Sequence, residues 1–278
     1  WLGDQCVQVF LIASGFGLTF AVLRGGGRLE APRFFARRFR TVVPHWCAAH
    51  LLFMASFLLL GKGLDPTDWR SLASFLGVRF LPETLYYYAA AWWYIGLLFQ
   101  LYLVFPLLYR LLQGPRGIRR LVVLGVIGLA VRGAGLYLFD DLLDWWARGS
   151  IFVTRLPEFL FGMVLARTLV ERGGELRPPV RGLPGALLWA SVWLVGTAVS
   201  LTLPGMIVAN LLTGAGIFMF IFTVLGTRRT APLGLLAWLG ANSLGLYLVH
   251  HPVISILVPF ELSPTEVPKV TLLFIASA

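Results

Sequence analysis

Residues 205–225 read GMIVANLLTGAGIFMFIFTVL, an uncharged apolar run long enough to cross a bilayer as one helix. A hydrocarbon core of roughly 30 Å needs about 20 residues at 1.5 Å each. Working outward from this run, the sequence predicts eight complete spans and a truncated ninth that starts at Val270. The complete spans lie near 6–23, 42–60, 91–113, 121–139, 151–169, 183–203, 205–225 and 233–258.

The composition supports an all-α fold, a polytopic transmembrane helical bundle. Of the 278 residues, 58% are hydrophobic and 13% are charged, whereas soluble domains carry about 25% charged residues. No linker or repeat divides the chain, so residues 1–278 are predicted to form a single transmembrane domain that is truncated at both ends. The last complete span contains Asn242, Ser243 and two histidines, and we expect it to be bent or partly re-entrant.

The placement of Lys and Arg predicts the orientation in the membrane. A net charge of +10 would suggest a nucleic-acid partner for a soluble protein, but no nucleic acid is expected here. Because cytoplasmic loops carry the Lys and Arg excess, the richer loops are predicted to face the cytoplasm of a multi-pass protein in the cell inner (plasma) membrane. The richer loops are 24–40, 110–120, 167–181 and 228–229, and the poorer ones are 62–79, 148 and 269.

The interval 61–90 is the longest one on the predicted outer side. Its stretch DPTDWRSLASFLGVRFLP has the apolar spacing of a short amphipathic helix on the membrane surface. The YYYAAAWWY that follows supplies aromatic residues where an interfacial belt is expected. The segment is predicted to be either an anchor for the third span or a lid over an outward-facing substrate groove.

The stretch RFFARRFRTVVPH, residues 33–45, concentrates arginines at a predicted membrane edge. One interpretation is a topology signal; the other is a phosphate-binding site, because guanidinium groups bind phosphate bidentately. If the helix begins before Arg37, then Arg37 and Arg40 share a face and Arg38 flanks them. Such a group could grip the phosphates of coenzyme A.

Charges inside the predicted spans need partners or a polar cavity. Arg155 and Glu158 lie three residues apart on one helical face, and a lone charge at mid-membrane costs about 2.5–3.5 kcal/mol on insertion scales. They are predicted either to line a polar cavity or to form a structural ion pair. Pro157, between them, loosens the local backbone. For Arg132, the sequence indicates no role beyond that of a buried partner to another group.

Histidines supply the remaining candidates for chemistry. His250 and His251 lie near the outer end of the last complete span and could act as base, as hydrogen-bonding spacers or in no special way. Around His45 and His50, no Ser, Cys or carboxylate has a recognisable nucleophile spacing. No GxSxG, P-loop or HExxH motif is present, and no metal site is predicted.

Several blocks of the chain resemble the acyltransferase 3 family of membrane-bound acyltransferases, in the family's order. VQVFLIASGF resembles its apolar block ending in Ser-Gly-Phe, and RRFRTVVPHW its Arg-x-x-Arg stretch with Pro and an aromatic. WYIGLLFQLYLVFPLL is similar to its span ending in Gln-x-Tyr-x-x-Phe-Pro, and RLPEFLFGMVLA with LGLYLVHHP to its last two blocks. In this chain they lie at 7–16, 37–46, 93–108, 155–166 and 244–252.

The resemblance implies transfer of an acyl group, usually acetyl from acetyl-coenzyme A, to a hydroxyl of a cell-surface carbohydrate or glycolipid. The donor would be an acyl-coenzyme A without a metal, and the other partners would be the lipid bilayer and the carbohydrate acceptor. The resemblance places residues in three roles. These are donor binding by Arg37, Arg38 and Arg40, a substrate cavity with Arg155, Gln100 and Tyr102, and candidate catalytic groups Glu158 and His250.

The family resemblance also predicts what lies outside the chain. Members begin with a span that carries an Arg and a general-base His, so the base is expected upstream of residue 1 and this chain alone is expected to be inactive. Ten spans are expected in the intact protein. Gln8 stands where many members have Asp, and Leu98 and Phe99 where some have Glu, so any role of those carboxylates is absent here.

Two other functions compete with acyl transfer. A permease or flippase for a polar lipid or sugar would use Arg155 and Glu158 as a coupling pair without chemistry. A non-catalytic membrane subunit would only bind a partner. Paired repeats with broken helices, which transporters often show, are not found in the sequence, so acyl transfer is the preferred prediction.

Overall fold

A computed structural model describes residues 2–59, 65, 67–138, 150–173, 178, 180–225 and 231–257. Every regular element in these ranges is a helix, as predicted. The ninth apolar run, from Val270, lies outside the described residues. The helices are α1 (Leu2–Arg24), α2 (Ala31–Leu59), α3 (Trp69–Phe75), α4 (Pro82–Leu85), a 3₁₀ turn (Ala90–Trp92), α5 (Trp93–Leu112), α6 (Gly117–Leu138), α7 (Phe152–Glu171), α8 (Gly182–Val199), α9 (Met206–Leu225), α10 (Ala231–Ala241) and α11 (Ser243–Leu257).

Six stretches among the described residues are long and apolar enough to cross a membrane. They correspond to six of the eight predicted spans, so a multi-pass membrane protein is confirmed while the exact number of spans is not. These stretches are Gln5–Arg24, Ala31–Leu58, Ala90–Leu112, Gly117–Leu138, Gly182–Val199 and Met206–Leu225. The remaining two predicted spans, 151–169 and 233–258, are helical, but they are not among these six stretches.

Helix α7 occupies the predicted span 151–169 but is enclosed by other helices. Most of its first fifteen residues are buried, including the charged Arg155 and Glu158. It packs extensively against α1 and α6. A helix surrounded by protein needs no lipid-compatible face, which explains how it tolerates charges that a lipid-facing helix would not.

The run 233–258 is divided into two helices. Helix α10 ends at Ala241 and α11 begins at Ser243, so the chain turns at Asn242. The Asn242 side chain donates to the carbonyl of Trp238 at 2.8 Å. The predicted bend is therefore confirmed, and its position coincides with the polar Asn-Ser pair.

Helix α2 is longer than the span predicted within it. It begins at Ala31 rather than near residue 42, and its 29 residues extend about 44 Å. The arginines at 33–40 therefore belong to a continuous helix that projects beyond a hydrocarbon core of roughly 30 Å. The condition that this helix begins before Arg37 is met.

Helices α1 and α7 approach so closely that only glycine fits at two positions. A Cβ on Gly15 would overlap the carbonyl oxygen of Phe159, and a Cβ on Gly162 would overlap that of Ile12. Small residues at such crossings let backbones pack directly, which is how membrane helices gain van der Waals contact. This crossing fixes α7 against the helix that carries the Ser-Gly-Phe block.

Side-chain contacts gather three of the basic loops at one end of the bundle. The Tyr109 hydroxyl, near the end of α5, donates to the carbonyl of Gly27 at 3.0 Å. Arg167, near the end of α7, donates to the carbonyl of Leu112. The loops after α1, α5 and α7 therefore meet at the same end, as the alternation of basic loops requires.

The segment between α2 and α5 forms a folded cap at the opposite end. Arg79 is fully buried and donates to the carbonyls of Leu85, Tyr87 and Ala89 at 3.1, 2.7 and 3.0 Å. Burial lowers the pKa of Arg79 to about 9. The cap is attached to the bundle because the indole of Trp46, on α2, donates to the carbonyl of Phe75 at 2.9 Å.

Helix α3 confirms the short surface helix predicted for the interval 61–90. Its serines, Ser71 and Ser74, are buried, whereas Trp69 and Leu72 are more than half exposed. Apolar side chains directed outward suit the anchor interpretation. The Trp-Trp-Tyr of residues 92–94, which belongs to the predicted aromatic belt, is buried in the core, so these three rings pack against protein.

Candidate functional site

A cavity of about 640 Å³ lies between the second half of α1 and the first turns of α2. We call it the arginine cavity. Four arginines and one glutamate line it, and Glu30 pairs with Arg33 at 3.2 Å, so the lining is cationic. The charged lining residues are Arg28, Glu30, Arg33, Arg37 and Arg38.

The turn between α1 and α2 shapes the mouth of this cavity. Gly26 and Gly27 have φ values of +94° and +74°, a backbone region that favours glycine. The amide of Gly27 donates to the carbonyl of Val22 at 2.9 Å, and its carbonyl accepts from Tyr109. The reversal therefore depends on the Gly-Gly pair, and α5 holds it in place.

Arg38 reaches further into the protein than the other arginines of α2. It is half-buried, and its guanidinium carbon lies 5.9 Å from the Phe34 ring centre and 6.0 Å from that of Tyr102. Its Nε is buried and makes no hydrogen bond to any described residue. Arg37 lines the cavity from a more exposed position, whereas Arg40 is exposed and is not part of the lining.

A second cavity of about 190 Å³ adjoins the first. We call it the inner cavity. Ser14 and Tyr102 line both cavities and form their junction. Hydroxyls from four helices contribute to the inner cavity together with apolar walls. Its lining is Phe10, Ser14, Thr41, Val42, Tyr94, Leu98, Tyr102, Ser243, Leu244 and Tyr247.

Glu158 is held by Arg132, the intramembrane arginine for which the sequence indicated only a buried partner. Arg132 Nη2 lies 2.8 and 2.9 Å from the two carboxylate oxygens, and both side chains are at most 1% exposed. Arg132 also donates through Nε to the carbonyl of Thr154 at 2.8 Å and through Nη1 to that of Ile207 at 2.9 Å. The pair thus joins α6, α7 and α9.

Gln100 braces the beginning of α7. Its Nε2 donates to the carbonyl of Ser150 at 2.8 Å, and its Oε1 accepts from the amide of Phe152 at 3.1 Å. Gln100 lines neither cavity. Arg155 also lies outside both linings, with its guanidinium carbon 5.8 Å from the Trp93 ring centre. Of the three residues predicted for a substrate cavity, Tyr102 is the one that these cavities include.

His250 lies on α11, one turn beyond the inner cavity. Its Nδ1 is 2.5 Å from the carbonyl of Tyr247, so Nδ1 carries the proton in the neutral ring. Residues three apart share a helical face, which places His250 on the same side of α11 as Tyr247. The side chain of His251 lies outside the described residues.

His50 has a partner that the sequence did not reveal. Its Nε2 lies 3.0 Å from the Ser74 hydroxyl and its Nδ1 lies 3.2 Å from the carbonyl of Trp46. Arg79 donates to the same hydroxyl. All three side chains are fully buried, so this serine and histidine join the cap to α2 and are not exposed to either cavity.

The two cavities together form a site whose lining is cationic at the mouth and carries hydroxyls and apolar side chains further in. Guanidinium groups at the mouth suit a multiply charged phosphate group, and the hydroxyls further in suit a polar, uncharged group. The junction brings a partly desolvated guanidinium, a phenol and a serine together. Such donors can stabilise negative charge that develops on a carbonyl oxygen.

The family model Acyl_transf_3, described as an acyltransferase domain, matches residues 2–278. The chain belongs to the acyltransferase 3 family. The match covers both cavities and every predicted site residue, and it supports a membrane acyltransferase in general terms. No curated protein and no solved structure matches the chain.

Within this acyltransferase chain, several cavity residues escaped the sequence analysis. Arg28 counted only toward the topology signal, and Ser14 was quoted in the Ser-Gly-Phe block without a role. Tyr94 and Tyr247, whose rings lie 5.5 Å apart, gave no signal, since their meeting depends on how α5 packs against α11. Among the described residues, no group of three or more His, Cys, Asp or Glu could hold a metal ion.

Proposed function

We propose that this acyltransferase takes an acyl group, acetyl in the simplest case, from acyl-coenzyme A and transfers it to a hydroxyl of a cell-surface carbohydrate or glycolipid. The observation that carries the proposal is the arginine cavity, whose cationic mouth adjoins a smaller, hydroxyl-lined cavity. Family membership supplies the reaction class. The arginine end of the bundle is proposed to face the cytoplasm, where acyl-coenzyme A is made.

The arginines would bind the donor through its phosphates. Charge-assisted hydrogen bonds from guanidinium to phosphate are among the strong ones in proteins. We propose Arg28, Arg37 and Arg38 for this role, because they line the cavity and Glu30 offsets Arg33 instead. Arg40, which the family pattern includes, would act weakly, because it is exposed outside the lining.

The thioester would then reach the junction of the two cavities. In the transfer step, the acceptor hydroxyl oxygen attacks the thioester carbonyl carbon while a base takes the hydroxyl proton. The oxyanion that forms can accept hydrogen bonds from Arg38 and Tyr102. When it collapses, the carbon–sulfur bond breaks, and coenzyme A leaves as a thiolate that takes up a proton.

Glu158 is an unsuitable base in this arrangement, because both of its oxygens already accept hydrogen bonds from Arg132. We propose that it supports the position of α7 instead. His250 stays a candidate, since it follows Tyr247, which lines the inner cavity, by one turn of α11.

The donor site can be tested by binding coenzyme A to the full-length protein in detergent. Arg37→Ala and Arg38→Ala should each weaken binding about 10- to 150-fold, which corresponds to losing roughly 1.5–3 kcal/mol per charged hydrogen-bonding group. Arg119→Ala is a matched control, because Arg119 is exposed in the first turn of α6 and lines neither cavity. Equal effects in all three variants would contradict the site.

The reaction can be tested in membranes with labelled acetyl-coenzyme A. Incorporation of label into envelope carbohydrate or glycolipid should require Arg37 and Arg38 but not Arg119. Movement of a polar lipid or sugar across the membrane without any acyl incorporation would instead support the permease alternative.

A further inference from the structure

The volume of the inner cavity indicates what size of group it could hold. At about 190 Å³, it equals roughly six groups of water size, at about 30 Å³ each. A short acyl chain would fit a space of this size. The cavity adjoins the arginine cavity at Ser14 and Tyr102, so a chain that extends from the donor's phosphates would enter it there.

The walls of the inner cavity also suit a short, partly apolar group. Phe10, Val42, Leu98 and Leu244 provide apolar surface, and the hydroxyls of Thr41 and Ser243 add polar groups. Val42 and Leu98 are at most 4% exposed, so they belong to the packed interior and cannot easily move aside. A wall of this kind limits how far a chain can extend.

We infer that the inner cavity is an acyl chamber, which accepts acyl groups of two to about six carbons and rejects longer ones. The inference rests on the proposed donor site and adds the class of acyl group. Leu98 contributes to the limit, because it lines the chamber from α5 and is 4% exposed.

The physical consequence is a dependence of affinity on chain length. Each methylene buried in an apolar site tightens binding about four-fold. Acyl-coenzyme A thioesters should therefore bind more tightly than free coenzyme A as the chain lengthens, until the chamber is full. Beyond that length, the extra methylenes must stay outside or displace packed side chains, and affinity should fall.

The experiment measures binding of free, acetyl-, butyryl-, hexanoyl-, octanoyl- and decanoyl-coenzyme A to the full-length protein in detergent. Leu98→Ala enlarges the chamber and should move the optimum two to three carbons longer, with about 16-fold tighter binding for a chain two carbons beyond the wild-type limit. Leu98→Phe should move the optimum shorter. Free coenzyme A should bind all three proteins alike.

A leucine on the same helix provides the control. Leu103 is 69% exposed, so Leu103→Ala removes the same atoms without changing the chamber and should leave the optimum unchanged. Opposite shifts from two substitutions at Leu98 cannot come from destabilisation alone, because destabilisation would affect every ligand in the same direction.

The outcomes separate the two proposals. If coenzyme A binds through Arg37 and Arg38 but affinity is independent of chain length, or Leu98 variants do not shift the optimum, the acyl chamber is wrong and the donor site stands. If free coenzyme A does not bind at all, the donor site is refuted and the acyl chamber with it.

Discussion

The buried pair between Arg132 and Glu158 allows a sharp test of how the bundle is held together. The perturbation is Glu158→Gln, which keeps the shape of the side chain and removes its charge. Arg132 would keep its bonds to the carbonyls of Thr154 and Ile207, but the carboxylate that accepts two of its hydrogen bonds would become a neutral amide. The substitution therefore breaks an ion pair in a site that is at most 1% exposed.

The expected loss is about 3–5 kcal/mol, the range for breaking a buried ion pair by removing one member. For a domain of this size, that corresponds to a melting temperature lower by about 6–20 °C. Helix α7 also contains a control pair. Arg167 Nε lies 2.6 Å from Glu171 four residues later, and the Glu171 side chain is 52% exposed, so Glu171→Gln should cost no more than about 0.5 kcal/mol.

The assay is thermal unfolding of the detergent-solubilised protein, followed by the loss of the monodisperse chromatographic peak. The double variant Arg132→Met with Glu158→Met should recover most of the loss, since replacing both members of a buried ion pair with apolar residues removes both charges from the site. A Glu158→Gln protein as stable as Glu171→Gln would refute the reasoning that this pair joins three helices.

Three further predictions concern other parts of the fold. Gln100→Ala should lower the free energy of unfolding by about 1–3 kcal/mol yet leave coenzyme A affinity unchanged, and a large loss of affinity would support the substrate-cavity role instead. Gly15→Ala should abolish the monodisperse folded protein because its Cβ would overlap α7, whereas Gly125→Ala, with nothing within 4 Å, should stabilise α6 by up to about 1 kcal/mol. Asp68 caps α3 through the amide of Arg70 at 2.8 Å, and hydrogen bonds from Arg70 lower the pKa of its carboxyl. A lowered carboxyl pKa adds stability at pH values above the pKa of the unfolded state, and this stability is lost as pH falls through the pKa of the folded state. The protection factors of the α3 amides, which compare their hydrogen exchange with that of an unfolded chain at the same pH, should therefore fall at acid pH in the wild type, and fall less in Asp68→Ser.

Residue type and spacing in the sequence predicted part of the candidate site. The arginines of residues 33–40 were interpreted either as a topology signal or as a phosphate-binding site, and donor binding by them stays a prediction. Arg37 and Arg38 line the arginine cavity while Arg40 does not. The reason is helical geometry, since residues three apart share a face only approximately and the packing of α1 decides which part of that face is enclosed.

The sequence did not predict which residues Glu158 and Gln100 contact. Arg155, three residues from Glu158, was the natural partner from spacing, but the described geometry places Arg132 of α6 against both carboxylate oxygens. Gln100 was expected in a cavity and instead binds the backbone at the start of α7. In both cases the contact joins segments far apart in the chain, and a helical pattern carries no information about which distant segment it will meet.

The sequence by itself determined that the protein is a multi-pass helical bundle, where most of its spans lie, and which loops are basic. These properties follow from local composition, because a bilayer demands about 20 apolar residues per helix and satisfies no free backbone groups. Only the tertiary structure decided that α7 is enclosed, that α1 and α2 separate to form the arginine cavity, and that Tyr94, Tyr102 and Tyr247 surround a small inner cavity. Those features arise from close packing between helices, which depends on the shapes of faces that meet and not on any one face alone.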